Sequence, residues 1–321
     1  ALAAGICSMG GDVYLAGVLP TPAVSFIAEN IKADAGIVIS ASHNPFQDNG
    51  IKIFGGDGYK LPDEKEEEIE GFILGDELDS LLPDGREIGS VHHMGDAAGR
   101  YFVFAKIAFP KDLSIKGLKI VLDVGNGATY QVGPAAFSEL GADVDVLHDS
   151  PDGFNINLNC GSQHTEDLRA RVVEVGASVG LAFDGDGDRL IAVDETGQEL
   201  TGDQILLILA NASRNAGTLR SDLLVTTVMS NIGLTVACKE QGFQYHASKV
   251  GDRYVLEDMK KLGGVMGGEE SGHMILLDHH TTGDGIIAAM RLVAAVVQEG
   301  KPLSELAKLM RVFPQKLINV E

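Results

Sequence analysis

Short apolar runs alternate with helix-like segments along the whole chain, and many of the runs end in loops of glycine and polar residues. Strands that alternate with helices are typical of parallel or mixed sheets with helices on both faces. The alternation recurs in three successive stretches of similar length and pattern, and a chain of 321 residues can form two or three domains. We therefore predict an α/β fold of three consecutive similar domains, with mixed sheets covered by helices.

The predicted domains meet at polar or irregular segments. The polar stretch 75–90 contains a Pro-Asp-Gly turn and marks the first boundary. We predict domain 1 over residues 1–90, domain 2 over 91–197 and domain 3 over 198–312. Residues 313–321 then read as a linker toward a further domain.

The acidic composition excludes two classes of partner. A net charge of −21 and a pI near 4.7 argue against nucleic acid and against an anionic membrane surface, because both need a basic face. No stretch reads as a membrane span or a targeting segment. Cys7, Cys160 and Cys238 are far apart in sequence, which indicates a reducing, cytoplasmic setting and neither a disulfide framework nor a zinc site.

Three carboxylates occupy alternate positions in one glycine-containing loop. Asp184, Asp186 and Asp188 lie between two apolar runs that read as strands, 179–183 and 190–193. Like charges ~4 Å apart repel by about 1 kcal/mol in water and about 4 kcal/mol near a protein surface. The loop therefore calls for a cation, and a hard divalent ion such as Mg²⁺ is the natural partner of oxygen ligands.

A calcium-binding EF-hand is the competing interpretation of this loop. The Asp-x-Asp-x-Asp spacing matches it, and Glu195 falls at the twelfth position. However, Arg189 occupies the position where an EF-hand needs glycine, and the flanking segments read as strands where that motif has helices. Beside a metal loop, Arg189 is suited to binding a phosphate with two hydrogen bonds.

A second polar loop, residues 40–52, follows the short apolar strand at 35–39. Open α/β sheets bind their ligands at the carboxyl ends of strands. The Asn-Pro and Asn-Gly dipeptides in this loop favour turns that hold Ser42 outward, beside His43, while Lys52 returns toward it. Taken alone, the loop is equally compatible with serines that only cap a helix.

A third polar loop contains Glu269, Ser271 and His273 at alternate positions. The alternation predicts that the three side chains point the same way, which suits hydrogen bonding to adjacent sugar hydroxyls. Lys249 and Arg253, just upstream, add positive charge for a phosphate. The simpler interpretation of the histidine is a buried structural residue.

Together, the loops at 40–52, 184–189 and 268–273 resemble those of the α-D-phosphohexomutase superfamily, in the family's order and over essentially the whole chain. The details look most like the branch that acts on glucosamine phosphates, at residues 48–52, 160–164, 268–273 and 281–285. Thr165 departs from the proline that many members have after the histidine at 164.

The resemblance implies an isomerase that moves a phosphoryl group between the 6- and 1-hydroxyls of glucosamine phosphate through a 1,6-bisphosphate. Ser42 would be the phosphoserine, and its phosphate would hold Mg²⁺ together with Asp184, Asp186 and Asp188. Glucosamine or glucose 1,6-bisphosphate would be the activator. Because Ser42 and the aspartates fall in different blocks, the active site would lie in a cleft between domains.

The resemblance also assigns the remaining site residues. His43, Lys52 and Arg189 would support proton transfer and charge at the transferred group. The residues that would bind the sugar phosphate are Lys249, Gly251, Asp252, Arg253, Glu269, Ser271 and His273.

Two alternatives stay open at the level of sequence. Glucose or mannose phosphates would use the same chemistry, and a metal-dependent sugar-phosphate binding protein without turnover would keep the same loops. The family also implies a homodimer through domain 1. An N-terminal Thr-Gly-x-Arg-Gly motif and a C-terminal Arg-x-Ser-Gly-Thr-Glu-Pro loop, which family members usually carry, do not occur here, so we expect that the sequence is truncated.

Overall fold

A computed structural model describes residues 1–75 and 81–316 of the chain. The order of its helices and strands follows the predicted alternation, which confirms the α/β fold. The last five residues of the predicted linker, 317–321, lie outside the described residues. Within the described ranges, no helix is both long and apolar enough to cross a membrane.

The first part of the chain forms two small two-stranded sheets. Strands β2 and β3 pair antiparallel, which places Lys52 opposite Val38. Strand β1 spans only three residues, and it pairs in parallel with β4, which lies just past residue 90. The elements are α1 (Leu2–Ser8), β1 (Val13–Leu15), α2 (Thr21–Ile31), β2 (Ala35–Ser40), β3 (Gly50–Gly55), α3 (Asp63–Leu74) and β4 (Val91–His93).

The second part forms a mixed five-stranded sheet. The elements are α4 (Ala97–Lys106), β5 (Lys119–Asp123), α5 (Val132–Glu139), β6 (Asp143–Leu147), α6 (Glu166–Val175), β7 (Val179–Phe183), β8 (Leu190–Asp194) and β9 (Glu199–Leu200). The strand order is β6-β5-β7-β8-β9. Strand β5 is parallel to both neighbours, whereas β7 and β8 form an antiparallel hairpin that is buried along its whole length.

The third part forms a mixed four-stranded sheet of order β11-β10-β12-β13. Its elements are α7 (Gly202–Asn215), β10 (Leu223–Thr227), α8 (Ile232–Gln241), β11 (Gln244–Ser248), α9 (Asp252–Leu262), β12 (Met266–Gly268), β13 (Met274–Leu276), α10 (Gly285–Glu299) and α11 (Leu303–Leu306). Helix α7 begins with a capping box, in which Thr201 and Gln204 satisfy each other's backbone N–H groups.

One buried apolar cluster extends through all three parts. It contains Ile27 from the first, Phe183 from the second and Leu292 from the third. Burial of each large apolar side chain contributes about 1.5–3 kcal/mol. The three parts of the chain therefore share one core, which holds their loops in fixed relation to one another.

A buried polar contact joins the second part to the third inside this core. The hydroxyl of Tyr101, on α4, lies 3.0 Å from both carboxylate oxygens of Asp284, the N-cap residue of α10. Asp284 also accepts a hydrogen bond of 3.0 Å from the backbone N–H of Ile287. Burial raises the pKa of Asp284 to about 7, against the lowering effect of these hydrogen bonds.

This raised pKa predicts how Asp284→Asn will change stability. The native state binds the proton more tightly than the unfolded state, so ionisation of Asp284 lowers the free energy of unfolding as pH rises from about 4 to about 7. The asparagine keeps the cap and cannot ionise. We expect the variant to gain stability relative to wild type across this range, by up to about 4 kcal/mol.

Denaturant unfolding of both proteins at a series of pH values measures the difference. Asp112→Asn, at an exposed position, is the control and should show no such trend. A difference between the Asp284 variant and wild type that does not change with pH would contradict the assignment.

Candidate active site

The three aspartates lie in the tight loop that joins β7 to β8. Asp184, Asp186 and Asp188 are all buried, and their carboxylate oxygens approach within 4.8 Å of one another. In each residue one buried oxygen has no hydrogen-bond partner among the described residues. Buried carboxylate oxygens without donors are costly, and they are the ligands that a hard divalent cation takes.

The electrostatics of the loop point to the same requirement. Burial, together with repulsion from Asp188 and Asp186, raises the pKa of Asp184 well above its usual range. The pKa of Asp188 lies well below its usual range because His273 and Lys52 outweigh the effect of burial. The triad therefore fits a bound cation, and the loop can hold a metal ion. The flanking strands also confirm that the loop is not an EF-hand.

Close backbone packing fixes the shape of the aspartate loop. Ala128 donates a backbone hydrogen bond of 2.8 Å to the carbonyl of Gly185. A Cβ atom on Gly127 would lie 2.4 Å from that same oxygen, so only glycine fits there. The Gly-x-Gly turn at 125–127, directly after β5, thus supports the aspartate loop.

The serine loop lies directly against the aspartate loop. Ser42 has a left-handed backbone, with φ of 53°, and its N–H donates to the Ser40 hydroxyl over 2.8 Å. A Cβ atom on Gly185 would lie 2.6 Å from the Ser42 carbonyl oxygen. The Nδ1 atom of His43 lies 3.4 Å from the Ser42 hydroxyl. The fold therefore places this serine beside the aspartates.

Lys52 connects the two loops. Its Nζ lies 2.6 Å from Asp186 Oδ2 and 3.2 Å from Asp188 Oδ2. Burial of the ammonium opposes the charged form, but the carboxylates of Asp188 and Asp186 outweigh it and raise the pKa of Lys52. The ammonium is therefore charged at neutral pH, and it supplies charge better than it accepts a proton.

Arg189 lies at the end of the aspartate loop. Its backbone N–H donates to Asp184 Oδ1 over 3.0 Å, and its buried Nε has no hydrogen-bond partner within residues 1–75 and 81–316. Burial and the charge of Arg189 lower the pKa of His43. The guanidinium therefore contributes to the charge around the serine loop.

A row of alternating charges connects the third loop to the aspartates. His273 Nδ1 lies 3.7 Å from Asp188 Oδ1, and His273 Nε2 lies 3.4 Å from Asp252 Oδ2. Asp252 also pairs with Lys60, and Asp188 pairs with Lys52. The row thus joins all three parts of the chain around the site.

The predicted common direction of Glu269, Ser271 and His273 is wrong. The N–H of Gly272 donates to the carbonyl of Glu269 over 3.0 Å, so these residues form a turn in which strand-like alternation does not apply. Ser271 is exposed, whereas His273 is buried. Glu269 Oε1 instead accepts a hydrogen bond of 3.2 Å from the backbone N–H of Gly251, which ties the two predicted sugar-phosphate segments together.

The two predicted phosphate-binding cations differ in their surroundings. Lys249 is exposed, with its Nζ 5.5 Å from the centre of the Tyr254 ring. Arg253 pairs with Asp63, and its Nη1 lies 3.8 Å from Glu66 Oε2, both on the acidic helix α3. In this arrangement the guanidinium of Arg253 is engaged by protein carboxylates.

Two residues that sequence reasoning missed complete the site. The Asn157 amide nitrogen donates to the carbonyl of Ser42 over 2.9 Å and to that of Asn44 over 2.8 Å. The Thr21 hydroxyl donates to Asp186 Oδ2 over 2.6 Å. Both contacts span large sequence separations, and Thr21 reads locally as no more than a helix start.

Three family models match the chain in succession. Residues 1–79 match alpha/beta/alpha domain I of the phosphoglucomutase/phosphomannomutase family, residues 101–197 match domain II and residues 201–313 match domain III. These matches cover most of the chain.

Two curated relatives show high identity along its whole length. The phosphoglucosamine mutase of Syntrophobacter fumaroxidans is 66% identical over 321 residues, which are 100% of this chain and 72% of that protein. The phosphoglucosamine mutase of Syntrophus aciditrophicus is 60% identical over 321 residues, again 100% of this chain and 72% of that protein.

Solved structures agree with the sequence matches. A putative phosphomannomutase from Thermus thermophilus superposes with a TM-score of 0.82 at 25% identity, over 96% of this chain and 70% of that one. A phosphoglucomutase/phosphomannomutase family protein from Burkholderia thailandensis gives a TM-score of 0.79 at 26% identity, over 96% and 67% of the two chains. The chain therefore belongs to the phosphoglucomutase/phosphomannomutase family of hexose-phosphate mutases, as its three polar loops predict.

Proposed function

We propose that the protein interconverts glucosamine 6-phosphate and glucosamine 1-phosphate, with Ser42 as the phosphoryl carrier. The observation that carries the proposal is the position of Ser42 against Gly185, between two of the three buried aspartates. A serine is a poor nucleophile unless its surroundings change its chemistry. The choice of glucosamine rests on the phosphoglucosamine mutases that are 66% and 60% identical to this chain.

The reaction exchanges oxygen–phosphorus bonds and needs no oxidant. The bond between phosphorus and the Ser42 oxygen breaks as a bond forms to the 1-hydroxyl of glucosamine 6-phosphate, which loses its proton. The 1,6-bisphosphate then reorients in the site, so that its 6-phosphoryl group faces Ser42. Its 6-phosphoryl group returns to Ser42, and the 6-hydroxyl regains a proton.

The residues around Ser42 divide the work of phosphoryl transfer, which depends on positioning and charge neutralisation. In this proposal His43, whose Nδ1 lies 3.4 Å from the Ser42 hydroxyl, takes up and returns a proton. Lys52 and Arg189 supply positive charge. Asp184, Asp186 and Asp188 would hold Mg²⁺ with the Ser42 phosphate, and the ion would neutralise charge on the transferred group.

The third part of the chain supplies the sugar site in this proposal. Glu269 and Ser271 bind sugar hydroxyls, with His273 beside them, and the segment that begins at Lys249 binds the distal phosphate. Arg253 contributes to that phosphate site once it exchanges its carboxylate partners for the ligand. Glucose or glucosamine 1,6-bisphosphate as activator, a cytoplasmic location and dimerisation through domain 1 belong to the same proposal.

A ³¹P NMR time course tests the activity and its specificity. The full-length gene product is given Mg²⁺, glucose 1,6-bisphosphate and, in parallel, glucosamine, glucose or mannose 6-phosphate. We expect the glucosamine phosphate to be converted fastest. Faster conversion of glucose or mannose 6-phosphate would contradict the proposed specificity for glucosamine, while the proposed phosphoryl-transfer mechanism would still hold. Absence of conversion, with binding detected by calorimetry, would instead favour a sugar-phosphate binding protein.

Replacing Ser42 by alanine and by glycine tests the phosphoserine. Both variants lack the hydroxyl, so we expect turnover to fall at least about 1,000-fold in both. Alanine is strained at the φ of 53°, whereas glycine is not. Activity that survives in Ser42→Gly and disappears in Ser42→Ala would show that the backbone matters and the hydroxyl does not. Intact-mass measurement should detect a phosphorylated form in wild type and in neither Ser42 variant.

Asn157→Asp tests whether the clamp on the serine loop positions Ser42. The change replaces two N–H donors by an anionic oxygen that repels the carbonyls of Ser42 and Asn44. Displacement of a reacting group by about 1 Å costs on the order of 100-fold in rate, so we expect kcat to fall 10- to 100-fold. The KM for the sugar phosphate should change little, because Asn157 contacts only the serine loop across the domain boundary.

Asn159→Asp is the matched control for this variant. Asn159 lies in the same loop, has a similar left-handed backbone with φ of 53°, and is exposed. It should keep kcat within about twofold of wild type. Equal losses in the two variants would show that charge in the loop, and not the clamp, controls the rate.

A further inference from the structure

A second group of metal-ligand side chains lies outside the proposed active site. Asp123 ends β5, His148 follows β6, and Cys160 precedes the short 3-10 turn Gly161–Gln163. One ligand atom from each residue lies within 4.8 Å of the other two. Asp123 and Cys160 are buried, while the His148 side chain is 24% exposed, which leaves a route for an ion from solvent.

The Nδ1 atom of His148 faces Asp123 at a distance that suits two ligands of one metal ion, but it is poorly aligned for a hydrogen bond to that carboxylate. This nitrogen is buried and lies 3.1 Å from Asp123 Oδ1, yet it makes no hydrogen bond to any described residue. Two ligands about 2.1 Å from a tetrahedral zinc ion lie about 3.4 Å apart. The backbone of His148 is left-handed, with φ of 53°, so the loop holds the ring in an uncommon conformation.

The surroundings of the cluster fix its ligands. The two Asp123 oxygens accept backbone hydrogen bonds of 2.9 Å, one from Gly125 and one from Gly161, and each keeps a lone pair. The Asp167 carboxylate lies 3.3 Å from Nε2 of His148. A carboxylate beside the outer ring nitrogen is the usual support of a metal-binding histidine.

Charge balance also favours a cation. A divalent ion bound to one carboxylate, one thiolate and one neutral imidazole forms a neutral group. The competing arrangement is a protonated His148 that forms an ion pair with Asp123 across the same 3.1 Å contact.

We propose that Asp123, His148 and Cys160 bind a borderline-soft divalent cation, with Zn²⁺ as the preferred ion. Mixed sulfur, nitrogen and oxygen donors suit zinc, whereas the aspartate loop offers oxygen alone. Sulfur and oxygen ligands of one zinc ion lie about 3.6 Å apart, so the thiol of Cys160 moves by at most about 1 Å on binding. The sequence spacing of the cysteines argued against a zinc site. The fold instead brings a histidine and an aspartate close to a single cysteine.

The position of this site suggests what the ion does. His148 and Cys160 lie at the two ends of a loop that contains Asn157. Asn157 donates to Ser42 and Asn44, and its own N–H donates to the carbonyl of Gly125 over 2.9 Å. An ion at Asp123 would therefore anchor the loop that reaches the serine loop. This inference does not depend on the proposed sugar specificity or on turnover.

Cobalt binding tests the proposal without an activity assay. Co²⁺ added to the reduced, metal-free, full-length gene product should give thiolate-to-metal charge-transfer absorption at one equivalent, and Zn²⁺ should displace it. The aspartate loop cannot give this band because it contains no sulfur. Absence of the band in wild type would overturn the proposal and favour the protonated histidine.

Four variants locate the ion. Cys160→Ser should abolish the charge-transfer band while Cys238→Ser, at another buried cysteine, keeps it. Asp188→Asn, in the aspartate loop, should also keep it. Asp167→Asn should weaken Zn²⁺ binding 10- to 100-fold, as expected when the support of a metal-binding histidine is lost. A band that persists in Cys160→Ser, with its circular dichroism unchanged, would place the ion elsewhere and overturn the proposal.

Discussion

The repulsion among three buried carboxylates is the interaction on which the rest of this molecule depends. Asp184, Asp186 and Asp188 are held together by a hairpin that is buried along its whole length. Such a cluster is tolerable only where cations offset it. Lys52 supplies one from the first part of the chain, and His273 faces Asp188 from the third. The negative charge of the loop thereby helps to hold the three parts around one point.

Glycine and asparagine residues hold the backbones of the loops around these carboxylates in place. Gly127 and Gly185 let the main chains of two loops approach more closely than any side chain would permit. The side-chain amide of Asn157 ties the second part of the chain to the serine loop through hydrogen bonds to the carbonyls of Ser42 and Asn44. Because phosphoryl transfer depends on in-line placement as well as on charge, these neutral contacts bear on the reaction through the position of the serine loop.

The sequence was sufficient to predict the alternating α/β fold, the cation requirement of the aspartate loop and the family. Each of these has a local cause, such as strand-like runs or carboxylates at alternate positions. The direction of Ser271 was predicted wrongly, because a turn at Glu269 breaks the alternation that a strand would have. Asn157 and Thr21 could not be found from sequence, since their partners lie 115 and 165 positions away and no local pattern marks them.

Lys52 and Asp186 are 134 positions apart, and this separation has a consequence for the newly made protein. Chains emerge from the ribosome with the N-terminal end first, and their domains fold in that order. The serine loop is therefore complete while its counter-charges are still to be synthesised. A nascent chain that stops before the aspartate loop contains Ser42 and Lys52 but none of the three carboxylates beside which the folded protein holds them. Lys52 therefore stays without the carboxylates of Asp186 and Asp188 until the second part of the chain has been synthesised and has folded.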